Sequence, residues 1–113
     1  MQDAQSPLDM AVLGELRAVL GEEFPLLVST FVSDGQLRIR LMRSALASAD
    51  AEGLRESAHA FKGSSVNVGA TALSNLCRDI ESSARVGDFA SAAARMVDVE
   101  AAFTAAAAAL AAS

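Results

Sequence analysis

Apolar residues recur every three or four positions along most of the chain, and no segment alternates apolar and polar residues with a period of two. Because an α-helix turns once in about 3.6 residues, this spacing places apolar side chains on one face of a helix. The pattern is clearest in the third of five such segments, where it joins Leu54, Ala58, Phe61, Ser65 and Val68. The chain is therefore predicted to be helical throughout, with no sheet and no internal repeat.

The first predicted helix begins at a proline and ends at a glycine. Ser6 is followed by Pro7, and an acid, Asp9, comes three residues after the serine. This combination predicts that Ser6 caps the helix and that Pro7 is its first residue. We expect the helix to run to about Leu20 and to end near Gly21.

The second predicted helix is long and contains a glycine. It begins near Glu23 and tolerates Pro25 in its first turn. Gly35 lies in its interior, so we expect the helix to be interrupted there, with a bend. Its apolar stripe consists of Phe24, Leu27, Val28, Phe31, Val32, Ile39, Met42 and Leu46.

Aspartates and glycines mark the limits of the remaining three helices. Asp50 is predicted to cap the third helix, which stops near Gly69, and Asp88 to cap the fifth. The fourth helix ends at Gly87, which suits the position just after a helix. In the fifth helix apolar side chains recur every seven residues, as in the seam of a helix bundle: Phe89, Met96, Phe103 and Leu110.

Length and composition bound the architecture. A chain of 113 residues forms one domain with a single core. Its apolar content is largely alanine, which favours close-packed helices over a sheet. Because the connections are short, we predict an all-α fold: an antiparallel up-down four-helix bundle of helices two to five, with the short first helix covering one end. Residues 1–6 are predicted to be a flexible N-terminal leader, and residues 7–113 the bundle domain.

Charge and cysteine content exclude several classes of function. A net charge of −5 argues against a nucleic-acid partner, because phosphate backbones call for clustered Lys and Arg. The single cysteine, Cys77, falls in phase with apolar neighbours and is predicted to be a small buried hydrophobe. One Cys and one His cannot form a typical zinc site, so no metal is predicted. The N-terminus lacks the features of a signal peptide and the alanine-rich tail is too short to span a membrane, which predicts a cytoplasmic protein.

The only histidine, His59, points almost opposite to the apolar stripe of the third helix, and Arg55 and Val66 share its face. Position alone favours an ordinary solvated histidine. Lys62 and Gly63, one turn later on the same face, favour a functional interpretation. The imidazole can carry a phosphoryl group, the lysine can face its charge, and the glycine leaves room for a donor protein. Alternatively, Gly63 is a harmless glycine, at a cost of about 1 kcal/mol relative to alanine, or marks a close helix–helix contact.

This stretch resembles the histidine-containing phosphotransfer (HPt) domain family. The family pattern is His-x-Phe/Leu-Lys-Gly-Ser/Ala-Ser/Ala, followed by a hydrophobic residue and Gly-Ala. The matching residues are His59, Phe61, Lys62, Gly63, Ser64, Ser65, Val68, Gly69 and Ala70. Residues 76–81 resemble the helix that follows the active histidine, and residues 24–27 and 87–89 resemble the turns of the family. The likeness covers about residues 8 to 110.

The resemblance implies a function and the residues that perform it. His59 would accept a phosphoryl group from a receiver-domain aspartate and pass it to another, and Lys62 would steady the group. In some members a glutamine and an arginine of the next helix lie near the histidine. The corresponding residues are Glu81 and Arg85. Arg85 fits this pattern, whereas Glu81 departs from it, because a carboxylate is less favourable than an amide near a phosphohistidine.

The predicted partners are receiver domains of a hybrid histidine kinase, of a response regulator, or of both. Arg55 and Val66 are expected to contact the partner, and Gly63 to give it clearance. Phosphoryl transfer depends mainly on positioning and charge stabilisation, so the carrier is predicted to need no cofactor, with any Mg²⁺ supplied by the receiver. The protein is predicted to be a monomer.

Three other classes of function are compatible with a small helical domain that has one exposed histidine. The chain has no Walker-type phosphate loop and no glycine-rich nucleotide lid, so it is predicted to have no autonomous kinase activity. A Ser-His-Asp hydrolase could use Ser64 or Ser65, but the chain contains no nucleophile elbow. A non-catalytic helical adaptor would bind a signalling partner through Val66 and its neighbours, with His59 incidental.

Overall fold

Five α-helices make up most of residues 6–113, the part of the chain that the computed structural model describes. They are α1 (Met10–Leu20), α2 (Phe24–Ala47), α3 (Ala51–Asn67), α4 (Thr71–Arg85) and α5 (Phe89–Ala111). One 3-10 turn, Gly21–Glu23, joins α1 to α2, and residues 6–113 contain no strand. Residues 1–5, which form most of the predicted leader, lie outside the described residues. Within the described part, no helix is long and apolar enough to cross a membrane.

The predicted start of α1 is wrong by three residues. Asp9, and not Ser6, caps the helix: its Oδ1 accepts hydrogen bonds from the backbone N–H groups of Ala11, at 2.9 Å, and Val12, at 3.4 Å. The Ser6 hydroxyl instead donates to the carbonyl of Leu8, and Pro7 precedes the helix. A carboxylate at the N-cap satisfies two donors that a helix leaves unpaired, and the hydrogen bond from the Asp9 N–H to the Gly69 carbonyl fixes the start of α1 at this residue.

The predicted interruption of α2 at Gly35 is also wrong, since the helix runs unbroken from Phe24 to Ala47. Gly35 is buried, and a methyl group built on it would overlap the ring of Phe103 on α5. The glycine therefore serves packing and not bending. It lets an aromatic ring lie directly against the helix backbone, which favours this residue despite its weak helix propensity.

Replacing Gly35 with alanine is expected to destabilise the fold by about 1–3 kcal/mol, because the added methyl group overpacks the core beside Phe103. Gly14→Ala is the matched control: Gly14 is also helical, but its methyl group would meet nothing within 4 Å. That control should gain up to about 1 kcal/mol from helix propensity. Urea unfolding of both variants measures the two changes. Equal gains in stability would show that Phe103 does not require the glycine.

The four long helices form the predicted bundle. In order around the bundle, α2 packs on α3, α3 on α4, α4 on α5, and α5 again on α2, so α3 and α5 are diagonal. The rings of Phe31 and Phe61 each pack against the ring of Phe103. Their centroids lie 5.5 Å and 5.8 Å, respectively, from the Phe103 centroid. The all-α architecture and the heptad seam of α5 are thereby confirmed, with Met96, Phe103 and Leu110 buried and Phe89 partly so.

Several local predictions are confirmed. Asp50 and Asp88 accept hydrogen bonds at the starts of α3 and α5, from the N–H groups of Gly53 and Ser91. Gly87 follows the end of α4 with a positive φ of 72°. Cys77 is buried, and burial raises the pKa of its thiol to about 12, which keeps it protonated and unreactive.

Helix α1 covers the end of the bundle where α3 turns into α4, as predicted. The backbone N–H of Asp9 donates to the carbonyl of Gly69 at 2.7 Å, and Leu8 and Leu13 are buried. Gly69 has a φ of 76°, and a side chain there would press against Val12 and the Asp9 carbonyl. Only glycine suits both the left-handed turn and this close approach. The α3–α4 pair, which carries His59 and Glu81, is thus held at this end by α1.

Candidate functional site

The imidazole of His59 lies on the solvent-facing side of α3, in the middle of the helix. Its side chain is 62% exposed. The five residues of the predicted apolar stripe are all buried on the opposite side: Leu54, Ala58, Phe61, Ser65 and Val68. The helical phase of the sequence is therefore confirmed, and His59 is accessible to a partner protein.

A carboxylate from the neighbouring helix lies against the imidazole. Oε2 of Glu81, on α4, is 3.0 Å from Nδ1 of His59. Only 5% of the Glu81 side chain is exposed. A buried carboxylate must be paired to be tolerated, and the histidine supplies only part of the pairing.

Two cations complete the pairing of Glu81. Nζ of Lys62 donates to Oε1 at 2.9 Å, and Nη2 of Arg85 donates to Oε2 at 3.1 Å. Burial by itself raises the pKa of this carboxyl, but the hydrogen bonds from Lys62, Arg85 and His59 outweigh it and lower the pKa to about 2. Glu81 is consequently ionised at neutral pH, and it joins α3 to α4 directly below the exposed ring.

The ionised state of Glu81 decides which imidazole nitrogen is available. An ionised carboxylate can only accept hydrogen bonds, so Nδ1 of His59 must carry the proton that it donates to Oε2. In the neutral ring, the lone pair then resides on Nε2. Among residues 6–113, no hydrogen bond to Nε2 is formed. The nucleophilic nitrogen is therefore the one that is left open.

Because Glu81 is paired, the free energy of unfolding is expected to decrease at low pH. Its pKa is about 2 in the fold against an ordinary 4.5. The stabilisation is therefore complete above about pH 5 and is lost as the pH falls towards 2. We expect the wild type to lose about 2 kcal/mol more than Glu81→Gln between pH 6 and pH 3. Urea unfolding at both pH values measures this difference. Parallel losses would show that Glu81 does not retain its charge through the pairing.

Gly63 lies one turn from His59 on the exposed side of α3, and a methyl group built on it would meet nothing within 4 Å. The alternative that it marks a close helix–helix contact is thereby excluded. The fold does not require glycine here, so the residue costs helix stability without serving the packing of this chain. An open surface beside the imidazole results.

The other predicted residues lie around this surface. Val66 is exposed on the same helix, and Arg55 pairs with Glu52 one turn away, with its Nη2 2.7 Å from Oε2. Arg85 reaches the site, but it contacts Glu81 and not the imidazole. The docking roles of Arg55 and Val66 stay predictions.

The sequence pattern does not by itself predict that Glu81 is the centre of the cluster. One signal points to it: Glu81 falls on the buried stripe of α4, four residues after Cys77 and next to Ile80. A charged residue within an apolar stripe requires partners. Which residues supply them depends on how α4 packs against α3.

Comparison with known proteins identifies the family of the chain. The family model of the Hpt domain matches residues 26–112. The chain belongs to the Hpt family. A solved structure, histidine-containing phosphotransfer protein B (HptB) from Pseudomonas aeruginosa PAO1, is similar with a TM-score of 0.88 and 40% sequence identity, covering 91% of this chain and 90% of that one. None of the curated proteins compared with the chain matches it.

Membership of this family settles the class of function. The chain is a histidine phosphotransfer protein of a phosphorelay, and proteins of this family are carriers of phosphoryl groups rather than kinases. Hpt domains interact with receiver domains, which gives the class of partner. The alternative of a helical adaptor without phosphotransfer is not favoured.

Proposed function

We propose that His59 is the residue that carries the phosphoryl group between receiver-domain aspartates. Its Nε2 lone pair attacks the phosphorus of an aspartyl phosphate on one receiver. The phosphoryl group later leaves for the aspartate of another receiver. The sequence offers no other histidine for this role.

The observation that carries the proposal is the orientation of the imidazole. Nδ1 is occupied by Glu81, while Nε2 lies on a ring that is mostly exposed. The nucleophile is thereby presented outwards, where a receiver can approach in line with the bond to be formed. A solvated surface histidine would need no buried carboxylate beneath it.

The neighbouring residues have separate proposed roles. Lys62 is partly exposed and one turn from His59, so its ammonium group can turn towards a phosphoryl group and offset its charge. Gly63 gives the receiver's loops clearance, and Arg55 and Val66 contact the receiver beside it. The carrier needs no cofactor of its own, and any Mg²⁺ belongs to the receiver. A monomeric state and a cytoplasmic location stay predictions.

Phosphotransfer profiling tests the proposed function. The protein is incubated with each phosphorylated receiver domain of its organism, and the transfer of label is followed over seconds to minutes. We expect rapid exchange with one or a few receivers, and a label on the carrier that is lost in acid and retained in alkali, as for a phosphoramidate bond. Exchange with no receiver, or an acid-stable label, would contradict the proposal.

A further inference from the structure

Glu81 lies on the side of the imidazole opposite to the nitrogen that the proposed function phosphorylates. Its Oε2 is 3.0 Å from Nδ1, and the carboxylate is fixed by Lys62 and Arg85. The phosphoryl group would be attached to Nε2, at the far side of the ring. The carboxylate can therefore remain in contact with the ring throughout the transfer cycle.

We propose that Glu81 is a positioning residue that retains the proton on Nδ1 of His59 after phosphorylation, so that the phosphoryl group is passed on from a protonated ring. This inference rests on the proposed function. It assigns to the carboxylate a role in the second half of the cycle, the release of the phosphoryl group.

The electron balance shows why this proton matters. In the first transfer the Nε2 lone pair forms the N–P bond, and the P–O bond breaks with its electrons going to the receiver's carboxylate. Nδ1 keeps its proton, so the phosphorylated ring carries one positive charge. In the second transfer a carboxylate oxygen of the accepting receiver forms a bond to phosphorus, while the N–P bond breaks and its electrons return to Nε2, which leaves a neutral imidazole. Without the Nδ1 proton the leaving group would be an imidazolate anion, which leaves far less readily.

A carboxylate retains this proton better than an amide does. Both accept a hydrogen bond from Nδ1–H, but only the carboxylate also attracts the positive charge of the phosphorylated ring. The charged groups that face Glu81 are His59 and Lys62 from α3 and Arg85 from α4, with Arg55 further along α3. When Lys62 turns to the phosphoryl group, Arg85 still holds the carboxylate, and Nδ1–H has one competing donor fewer.

The test compares Glu81→Gln with Asp98→Asn. Asp98 is an exposed carboxylate on α5, diagonal to α3, so its variant controls for the loss of one negative charge. Each protein is charged with phosphoramidate, and the transfer of its phosphoryl group to the receiver is timed at about pH 6 and about pH 8, on either side of the ordinary pKa of histidine. We expect Glu81→Gln to transfer at least about tenfold more slowly than the wild type at pH 8, with a smaller difference at pH 6. Asp98→Asn should follow the wild type at both.

A second measurement needs no variant. In the phosphorylated wild type, ¹⁵N NMR of the imidazole should show a protonated Nδ1 at about pH 8. A deprotonated Nδ1 there, or a folded Glu81→Gln protein with the pH profile of the wild type, would overturn the inference while leaving the carrier function intact. If the wild type takes up no phosphoryl group at all, the proposed function fails, and the inference fails with it.

Discussion

A His59→Gln protein is expected to fold as the wild type does and to accept no phosphoryl group. The side chain is exposed, and a glutamine amide can donate to Glu81 in place of Nδ1–H. The free energy of unfolding should therefore change by less than about 1 kcal/mol. Transfer should be lost completely, because the amide nitrogen has no lone pair available for attack on phosphorus.

Glu56→Gln is the matched control for His59→Gln. Glu56 is exposed on the same helix, so this variant introduces the same side chain on α3 without removing the imidazole. Both proteins are incubated with a phosphorylated receiver, and their labels and thermal melting curves are compared. Glu56→Gln should be labelled like the wild type. A labelled His59→Gln protein would show that another residue carries the phosphoryl group.

The exposure of His59 follows from the sequence because it depends on one helix alone. The apolar stripe of α3 fixes which side is buried, and an amphipathic helix leaves the opposite side to solvent. The same reasoning places Lys62 and Gly63 beside the imidazole, one turn away. These parts of the site are local, and helical periodicity predicts them.

The role of Glu81 depends on two helices and could not be predicted in the same way. Its contacts with His59 and Lys62 follow from the register in which α4 packs on α3, and that register is decided by the core between them. From the sequence, Glu81 is simply a carboxylate at a position where some members of the family have a glutamine. The structure shows that Lys62 and Arg85 pair with it and that it faces Nδ1, so its charge lies away from the nitrogen that the proposed function phosphorylates.

The two errors in the fold have related causes. Ser6 and Asp9 are both good N-cap residues, and the choice between them depends on the contact of Asp9 with Gly69, far along the chain. Gly35 has the sequence signature of a helix interruption, but its partner Phe103 comes from α5. Local sequence patterns identify the residues that can cap a helix or interrupt it. Tertiary contacts decide which of these roles each residue takes in the fold.

Gly63→Gln is expected to raise the stability of the protein slightly and to slow phosphoryl transfer at least about tenfold. Glutamine is a better helix former than glycine by somewhat less than about 1 kcal/mol, and the space around residue 63 is open in this chain. The new side chain would project beside His59, where the receiver's active-site loops must enter. Since a displacement of about 1 Å in the reacting atoms can cost about a hundredfold in rate, a side chain that disturbs docking should clearly lower the rate of phosphoryl transfer.

Gly14→Gln separates this effect from helix propensity. Gly14 is likewise exposed and helical, with nothing within 4 Å of an added methyl group, but it lies on α1 and not on the face of His59. Its variant should gain similar stability and transfer at the wild-type rate. Melting curves and transfer rates are measured together for both proteins, because a more stable but slower Gly63→Gln cannot be explained by damage to the fold. If Gly63→Gln transfers as fast as Gly14→Gln, the glycine is not a clearance for the partner, and the receiver must approach His59 from another side.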